Sequence, residues 1–115
     1  LLPCNLLVAY SLSMETIFGA VADPTRRQIL DRLRAHGPLS IKQLAEPLPM
    51  SRQAVTKHLD ILRQSGLVAM RRVGRERLHF LEPQPLQELD EWLRPYAEIW
   101  DQRLASLQRH LETKE

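Results

Sequence analysis

Apolar residues recur at helical spacing through the first half of this chain, one, three or four positions apart. Such spacing places them on one face of a helix, where they can pack against a core. Asp23, Ser40 and Ser51 stand just before three of these segments, and each offers a side-chain oxygen to a free backbone N–H. The pattern predicts helices over residues 12–22, 24–36 and 51–65, and a short helix that begins at Ser40 and ends before Pro47.

The helix predicted over residues 51–65 has one apolar face and one face of polar and cationic side chains. Arg52 and Gln53 lie in its first turn, and both residue types can bond a base edge through two atoms at once. Thr56 and Lys57 follow one turn later and suit phosphate groups. Taken alone, this is more simply a surface helix with solvated charges. The short helix and tight turn before it, however, complete a helix-turn-helix pattern.

Two short, partly β-branched segments follow, over residues 67–73 and 77–81. We interpret them as a hairpin, because Gly74 supplies a turn residue between two apolar runs. Arg72, Arg75 and Arg77 fall at its tip. A basic tip directly after a helix-turn-helix is typical of a wing that lies along the DNA backbone or enters the minor groove. The alternative is a hairpin whose charges only aid solubility.

The last segment carries apolar residues in steps of three and four from Leu86 to Leu111. A helix over residues 86–111 would be about 39 Å long, too long to be covered by a small domain. Pro95 lies within it and should kink the helix or split it in two. A stripe of this length needs a partner, and a second copy of the chain is the simplest one. The alternative is a helix folded back on its own domain.

Charge is distributed unevenly along the chain, although the net charge is only +2. Residues 51–81 hold seven basic and two acidic side chains, whereas residues 82–115 hold four basic and eight acidic ones. A basic middle region beside an acidic tail indicates a local surface for a polyanion. We interpret most of the arginines of the helix over residues 24–36 as solvated charges, with the alternative that one or two of them contact a phosphate.

Length and composition are typical of one soluble globular domain of 115 residues, 43% of them apolar and 26% charged. The single cysteine excludes an intramolecular disulfide, which fits a reducing cytoplasm. No apolar run reaches about 18 residues, so we expect no transmembrane helix. Residues 1–13 are apolar without a basic leader. We interpret them as an extension upstream of the native start, followed by one domain over residues 14–115.

Several runs together resemble the ArsR family of bacterial winged-helix repressors. They are Phe18–Leu30, Leu44-Ala45, Ser51–Leu59, Leu62–Val68 and Gly74-Arg75. The resemblance implies a mainly α fold with a small β-hairpin, a winged helix-turn-helix dimerised through its N- and C-terminal helices. It also implies that the helix over residues 51–65 enters the major groove, that the hairpin is the wing, and that residues 86–111 form the dimerisation helix.

The resemblance assigns residues to two surfaces. The residues that would face DNA are Ser51, Arg52, Gln53, Thr56, Lys57 and His58, joined by the wing residues Arg72, Arg75 and Arg77. The residues expected at the dimer interface are Ile17, Phe18, Leu89, Trp92, Leu93, Tyr96, Trp100, Leu104 and Leu107.

Many members of that family sense metals, and here the sequence departs from them. Residues 41–46 contain no Cys or His where those members carry a Cys-x-Cys-type box, and the last helix holds only His110. The remaining histidines, His36, His58 and His79, fall on three separate elements, whereas zinc needs about four converging ligands. We therefore expect no metal site and no cofactor, and the sequence does not identify an inducer.

The leading hypothesis is a sequence-specific DNA-binding transcriptional regulator, most simply a repressor that binds an inverted-repeat operator as a homodimer. Two alternatives stay open: a non-catalytic winged-helix adaptor that contacts other proteins, and a metal- or ligand-responsive sensor of the same family. An enzyme is not expected, because the sequence displays no Ser-His-Asp order, glycine-rich phosphate loop or paired catalytic carboxylates.

Overall fold

The structure, a computed structural model, describes residues 14–113. Its elements in chain order are α1 (residues 14–22), α2 (Pro24–His36), β1 (Leu39–Ser40), α3 (Ile41–Ala45), α4 (Arg52–Gln64), β2 (Val68–Val73), β3 (Glu76–Leu81) and α5 (Leu86–Thr113). The predicted mainly α fold with a small hairpin is confirmed. The extension predicted over residues 1–13 lies outside the described residues.

Local capping explains where three helices begin. Asp23 accepts from the backbone N–H three residues further on, at 3.0 Å, and so caps α2. At α3 the Ser40 N–H donates to Gln43 Oε1 at 2.9 Å, and the Gln43 N–H donates to Ser40 Oγ at 3.3 Å. Ser51 Oγ accepts from the third following N–H at 3.2 Å and caps α4. Each cap satisfies a backbone donor that the helix leaves free, as the sequence predicted.

A third strand joins the predicted hairpin. The strand order is β1-β3-β2, both pairings are antiparallel, and Leu39 of β1 lies opposite His79. A strand of two residues is too short for periodicity to reveal. The hairpin turn is also shorter than predicted, because Val73 pairs with Glu76 and leaves only Gly74-Arg75 as the loop. The φ of Gly74 is 64°, a conformation that glycine adopts without strain at the first position of such a loop.

Three arginines of α2 hold the ends of neighbouring helices. Arg26 Nε and Arg27 Nη1 each donate to a carbonyl near the end of α1 at 2.8 Å. Arg32 Nη1 donates at 2.7 Å to the carbonyl of Gln43, near the end of α3. Carbonyls in the last turn of a helix have no N–H donor within that helix, and here these guanidinium groups donate to them instead. The sequence predicted that most arginines of this helix are only solvated, whereas these three also bond within the chain.

The core forms where α1 to α4 meet the sheet. Its fully buried side chains include Ile29, Leu44, Val55, Leu62 and Leu67. Ile17 of α1 is only 1% exposed and Leu89 of α5 only 9%. Both were predicted at the dimer interface, but here they belong to the core of their own chain, onto which α1 and the first turn of α5 pack. A residue covered in this way has little surface left for a partner.

Helix α5 leaves the core after its first turn. From residue 90 to residue 112 every side chain is exposed, apart from the half-buried Ala97. The helix continues through Pro95, so the split considered for this position does not occur. A proline removes one backbone hydrogen bond from the helix. Here the deprived carbonyl lies on an exposed stretch where water can reach it, and the flanking turns continue the helix on both sides.

Candidate nucleic-acid interface

The outer face of α4 is polar, cationic and open. Arg52, Gln53, Thr56 and Lys57 are all exposed, while the apolar face of the helix is buried in the core. No acidic residue lies in the first turn. The positive end of the helix dipole therefore adds to the charge of Arg52 and makes this end of α4 attractive to anions. Because α3 and a tight connection precede α4, the two helices form a helix-turn-helix.

Two hydroxyl groups on this helix are already engaged. Ser51 Oγ accepts from the Ala54 N–H, as described above, and the Thr56 hydroxyl donates to the carbonyl of Arg52 at 2.8 Å. A hydroxyl has one hydrogen to give, so Thr56 keeps only acceptor capacity towards an outside group. Phosphate oxygens only accept. As long as its hydroxyl donates to the Arg52 carbonyl, Thr56 is therefore less suited to bind a phosphate than the sequence predicted.

His58 differs from the other predicted recognition residues, because it is half-buried and points towards α2. Its Nδ1 lies 3.2 Å from Arg26 Nη1 and 3.9 Å from Asp23 Oδ2. The backbone N–H of Arg26, with the charges of Arg26 and His58, holds the pKa of the Asp23 carboxyl below its ordinary value, although desolvation opposes the shift. These three side chains connect the start of α2 to the middle of α4 and so fix the orientation of α4.

The tip of the hairpin carries three exposed guanidinium groups. Arg72 and Arg77 occupy directly opposite positions on β2 and β3, and Arg75 lies in the turn. Like charges that face each other across a strand pair destabilise the pairing. An arrangement that is unfavourable in the free protein becomes favourable beside a polyanion. Arg71, by contrast, lies over the Phe80 ring at 5.2 Å from its centroid and within 4.0 Å of Glu82.

His79 is a buried polar residue behind the hairpin, only 5% exposed. Its Nδ1 lies 3.3 Å from the carbonyl oxygen of Leu39, and since that oxygen only accepts, Nδ1 carries the proton. Burial lowers the pKa of His79; the bond to Leu39 opposes the shift, and the charge of Arg63 adds to it. The imidazole is therefore neutral at physiological pH. Sequence reasoning placed this histidine in the hairpin but did not predict its burial.

Two further findings apply to residues 14–113. Within this range no three His, Cys, Asp or Glu side chains converge as a metal ion would require. Over the same residues, no helix combines the length and the apolar character needed to cross a lipid bilayer.

A helix-turn-helix followed by an arginine-tipped antiparallel hairpin defines the winged helix-turn-helix class. A family described as a helix-turn-helix domain matches residues 21–71. The chain is 46% identical over 77 residues to the HTH-type transcriptional regulator Rv2034 of Mycobacterium tuberculosis, covering 67% of this chain and 71% of that protein. It is 34% identical over 80 residues to the transcriptional repressor SdpR of Bacillus subtilis, covering 70% of this chain and 88% of that protein.

The similarity extends to three dimensions. A crystal structure of an ArsR family transcriptional regulator matches with a TM-score of 0.69 and 35% identity, over 79% of this chain and 93% of that one. The chain belongs to the ArsR family of helix-turn-helix transcriptional regulators, as the sequence motifs predicted. It is a DNA-binding transcriptional regulator.

Sequence reasoning missed Ile99 in the apolar stripe of α5, and it counted Leu111 in that stripe without naming it at the interface. Ile99 and Leu111 are exposed apolar residues of α5, 48% and 60% exposed, and neither was among the residues predicted at an interface. Their three- and four-residue spacing from Tyr96 and Leu107 was a usable signal. Nothing in the sequence pattern indicated that Arg26 would contact His58, because the two residues lie 32 positions apart.

Proposed function

We propose that this protein is a transcriptional repressor that binds an inverted-repeat operator as a homodimer. The observation that carries the proposal is the open cationic face of α4, which begins with Arg52 and Gln53 and contains no acidic residue in its first turn. We assign α4 to the major groove of DNA, where these two side chain types can each bond a base edge at two atoms.

The hairpin arginines and Lys57 supply the contacts that do not depend on sequence. All four side chains are exposed. Their positive charges suit the phosphate backbone. The pair Arg72 and Arg77 should bind a phosphate most favourably, because the anion relieves the repulsion between the two guanidinium groups. His58 has a different role in this proposal. Its contact with Arg26 stabilises the position of α4, and it reads no base.

The exposed face of α5 supports a homodimer. Its large apolar side chains are Trp92, Leu93, Tyr96, Ile99, Trp100, Leu104, Leu107 and Leu111, each between 40% and 61% exposed. Phe18 of α1 extends this face, since its ring lies 5.5 Å from that of Trp92, which in turn lies 5.0 Å from Tyr96. A contiguous apolar surface of this kind is rare on a monomer. A second α5, related by a two-fold axis, would cover it with an identical surface.

A two-fold dimer constrains the operator. Each copy presents one α4, and helices that enter successive major grooves on one side of B-form DNA lie about 34 Å apart. The operator should therefore be an imperfect inverted repeat whose half-sites are centred about 10 base pairs apart, or a multiple of that distance. Repression follows if this site overlaps a promoter, and the relative SdpR is named as a transcriptional repressor.

Selection of bound duplexes from a random pool tests binding, half-site spacing and specificity together. The selected sequences should contain an inverted repeat, and binding should weaken steeply with salt. Arg52→Ala should select a degenerate site. Arg94→Gln is the matched control, because Arg94 is an exposed arginine of α5 far along the chain from α4; it should select the wild-type site.

Two results would contradict the proposal. Retention of no duplex at low ionic strength by a folded dimer would favour the adaptor hypothesis over DNA binding. Enrichment of single half-sites without symmetry would leave DNA binding in place but contradict the dimeric operator.

A further inference from the structure

A cavity of about 260 Å³ lies between α4 and the sheet. Its apolar wall includes Ile41, Leu59 and Met70, and its polar lining includes Arg63, Arg77 and His79. An apolar cavity of about 150 Å³ holds a benzene molecule. The space between α4 and the sheet therefore suits a single aromatic ring with one or two substituents, smaller than the usual drug-sized ligand.

The charged groups of this cavity favour an anion. Arg63 and Arg77 contribute two positive charges, and Asp60 contributes one negative charge. Arg63 Nη1 lies 3.8 Å from Asp60 Oδ1, but both side chains are exposed, so this pair is weak and can open. Within residues 14–113, Arg77 forms no ion pair shorter than 4.0 Å. A carboxylate placed between Arg63 and Arg77 would form an ion pair with each of them.

His79 adds a requirement for a hydrogen-bond donor. Its Nδ1–H is used by the carbonyl of Leu39, so the neutral ring presents Nε2 as an acceptor. No residue of the described range donates to Nε2, and the ring lines the cavity. A hydroxyl group on the ligand would supply a donor to this nitrogen, on a residue that is only 5% exposed.

We propose that this cavity binds a small organic acid with one apolar ring and one hydroxyl group. Its carboxylate lies between Arg63 and Arg77, its ring lies against Leu59 and Met70, and its hydroxyl donates to His79 Nε2.

Such a ligand would act on DNA binding, a consequence that rests on the function proposed above. Arg77 and Thr56 line the cavity and also belong to the candidate nucleic-acid interface. A bound carboxylate neutralises Arg77 and takes it from the phosphate backbone, so operator affinity should fall. By linkage, operator DNA must weaken ligand binding by the same factor.

The test uses three probes on the full chain without DNA: 4-hydroxyphenylacetate, phenylacetate and the neutral 4-hydroxyphenylacetamide. Binding is followed by NMR at the Met70 methyl and the His79 imidazole. The hydroxy acid should cause saturable shifts at both groups. The amide should bind about tenfold more weakly, because it loses a charge-assisted bond, and phenylacetate a few-fold more weakly, because it loses a neutral one.

Two variants distinguish this site from general attraction of anions. Arg63→Gln should weaken binding of 4-hydroxyphenylacetate about tenfold. Arg94→Gln removes an arginine from a similar exposed pair with an aspartate on α5, and it should have no effect. Both residues are exposed, so both variants should fold.

The proposal is overturned if no saturable shift occurs at millimolar concentrations, if acid and amide bind equally, or if both variants lose affinity alike. These measurements need no DNA, so they stand even if the proposed operator binding fails. A saturated site that leaves operator affinity unchanged would overturn the regulatory consequence.

Discussion

Helices α4 and α5 carry the same kind of amphipathic pattern but lie in opposite environments. The apolar face of α4 is closed, and its Leu62 is 0% exposed. The apolar face of α5 is open, and its Leu104 is 61% exposed. The reason is length. Helix α4 spans 13 residues, about 20 Å, and fits over the core, whereas α5 spans 28 residues, about 42 Å, and passes beyond the core after Leu89.

The contrast teaches what an apolar stripe does and does not specify. It requires that a face be covered, because apolar surface left in water is unfavourable at about 25 cal/mol per Å². It does not specify which surface packs against that face. Where the core of the same chain packs against the stripe, as at α4, the stripe contributes to folding and the polar face stays open to a ligand. Where the chain supplies no such surface, as along α5, the stripe is available for association.

The largest expected effect is at the open face. Leu104→Glu would place a carboxylate from each copy in the proposed dimer interface. A buried charge without a partner costs about 3–5 kcal/mol. The dissociation constant of the dimer should therefore rise by at least about two orders of magnitude, as measured by sedimentation velocity over a range of protein concentrations.

Gln102→Glu is the control for that variant. It adds the same charge to α5 on the side of the helix away from the apolar stripe, so the dimer should persist. If Leu104→Glu sediments as the wild type does, the exposed face of α5 is not the interface.

The next effect concerns the closed face. Leu62→Ala would leave a cavity in the core and lower the free energy of unfolding by about 2–5 kcal/mol. Leu107→Ala removes the same atoms from a side chain that is 54% exposed. Its cost should be much smaller at low protein concentration and grow as the protein associates. Both free energies of unfolding are measured by urea titration at low protein concentration. If the two variants lose the same amount of stability, the proposed difference between the apolar faces of α4 and α5 is wrong.

A smaller effect is expected on the polar face of α4. Arg52→Ala should weaken binding to the selected operator by about 1–3 kcal/mol and relax the base preference. Arg75→Ala should weaken binding to all duplexes alike and reduce the salt slope by about one. Fluorescence anisotropy with selected and random duplexes measures both. If Arg52→Ala weakens binding to random DNA as much as to the operator, Arg52 contacts phosphate and reads no base.

The smallest effect arises from the buried His79. Its pKa in the folded chain is lowered from the ordinary 6.5, so below that pH the unfolded chain binds a proton that the folded chain does not. Stability should be insensitive to this group above about pH 7. It should decrease as the pH falls through 6.5 towards the folded pKa, by at most about 1.4 kcal/mol per pH unit.

Urea midpoints from pH 7.5 to 5 measure this dependence. His79→Gln removes the titrating group, so its midpoint should change less over the interval. A variant whose midpoint falls as steeply as that of the wild type would assign the dependence to other residues.

Much of the fold follows from neighbours in the sequence. The caps at Asp23, Ser40 and Ser51 join groups three residues apart, and the glycine at position 74 defines the turn. Because these contacts are local, each can be inferred from a few letters. The exposure of Arg52 and Lys57 follows in the same way, from their places opposite an apolar stripe.

Other features depend on which distant elements meet. His58 lies on the same helix as the exposed recognition residues, but α2 brings Arg26 against it from 32 positions away. The bond between His79 and Leu39 spans 40 positions and exists only because β1 adds to the hairpin. Periodicity contains no information about such pairs.

The sequence by itself determined the type and approximate bounds of every helix from α2 onwards, the position of the hairpin and the cationic character of α4. Only the tertiary structure decided which apolar faces are covered, which arginines are used within the chain, and where a cavity remains. The physical reason is the separation along the chain over which each kind of interaction acts. Capping and helical periodicity act within about four residues, whereas burial depends on how far the assembled core extends, and that core ends at Leu89.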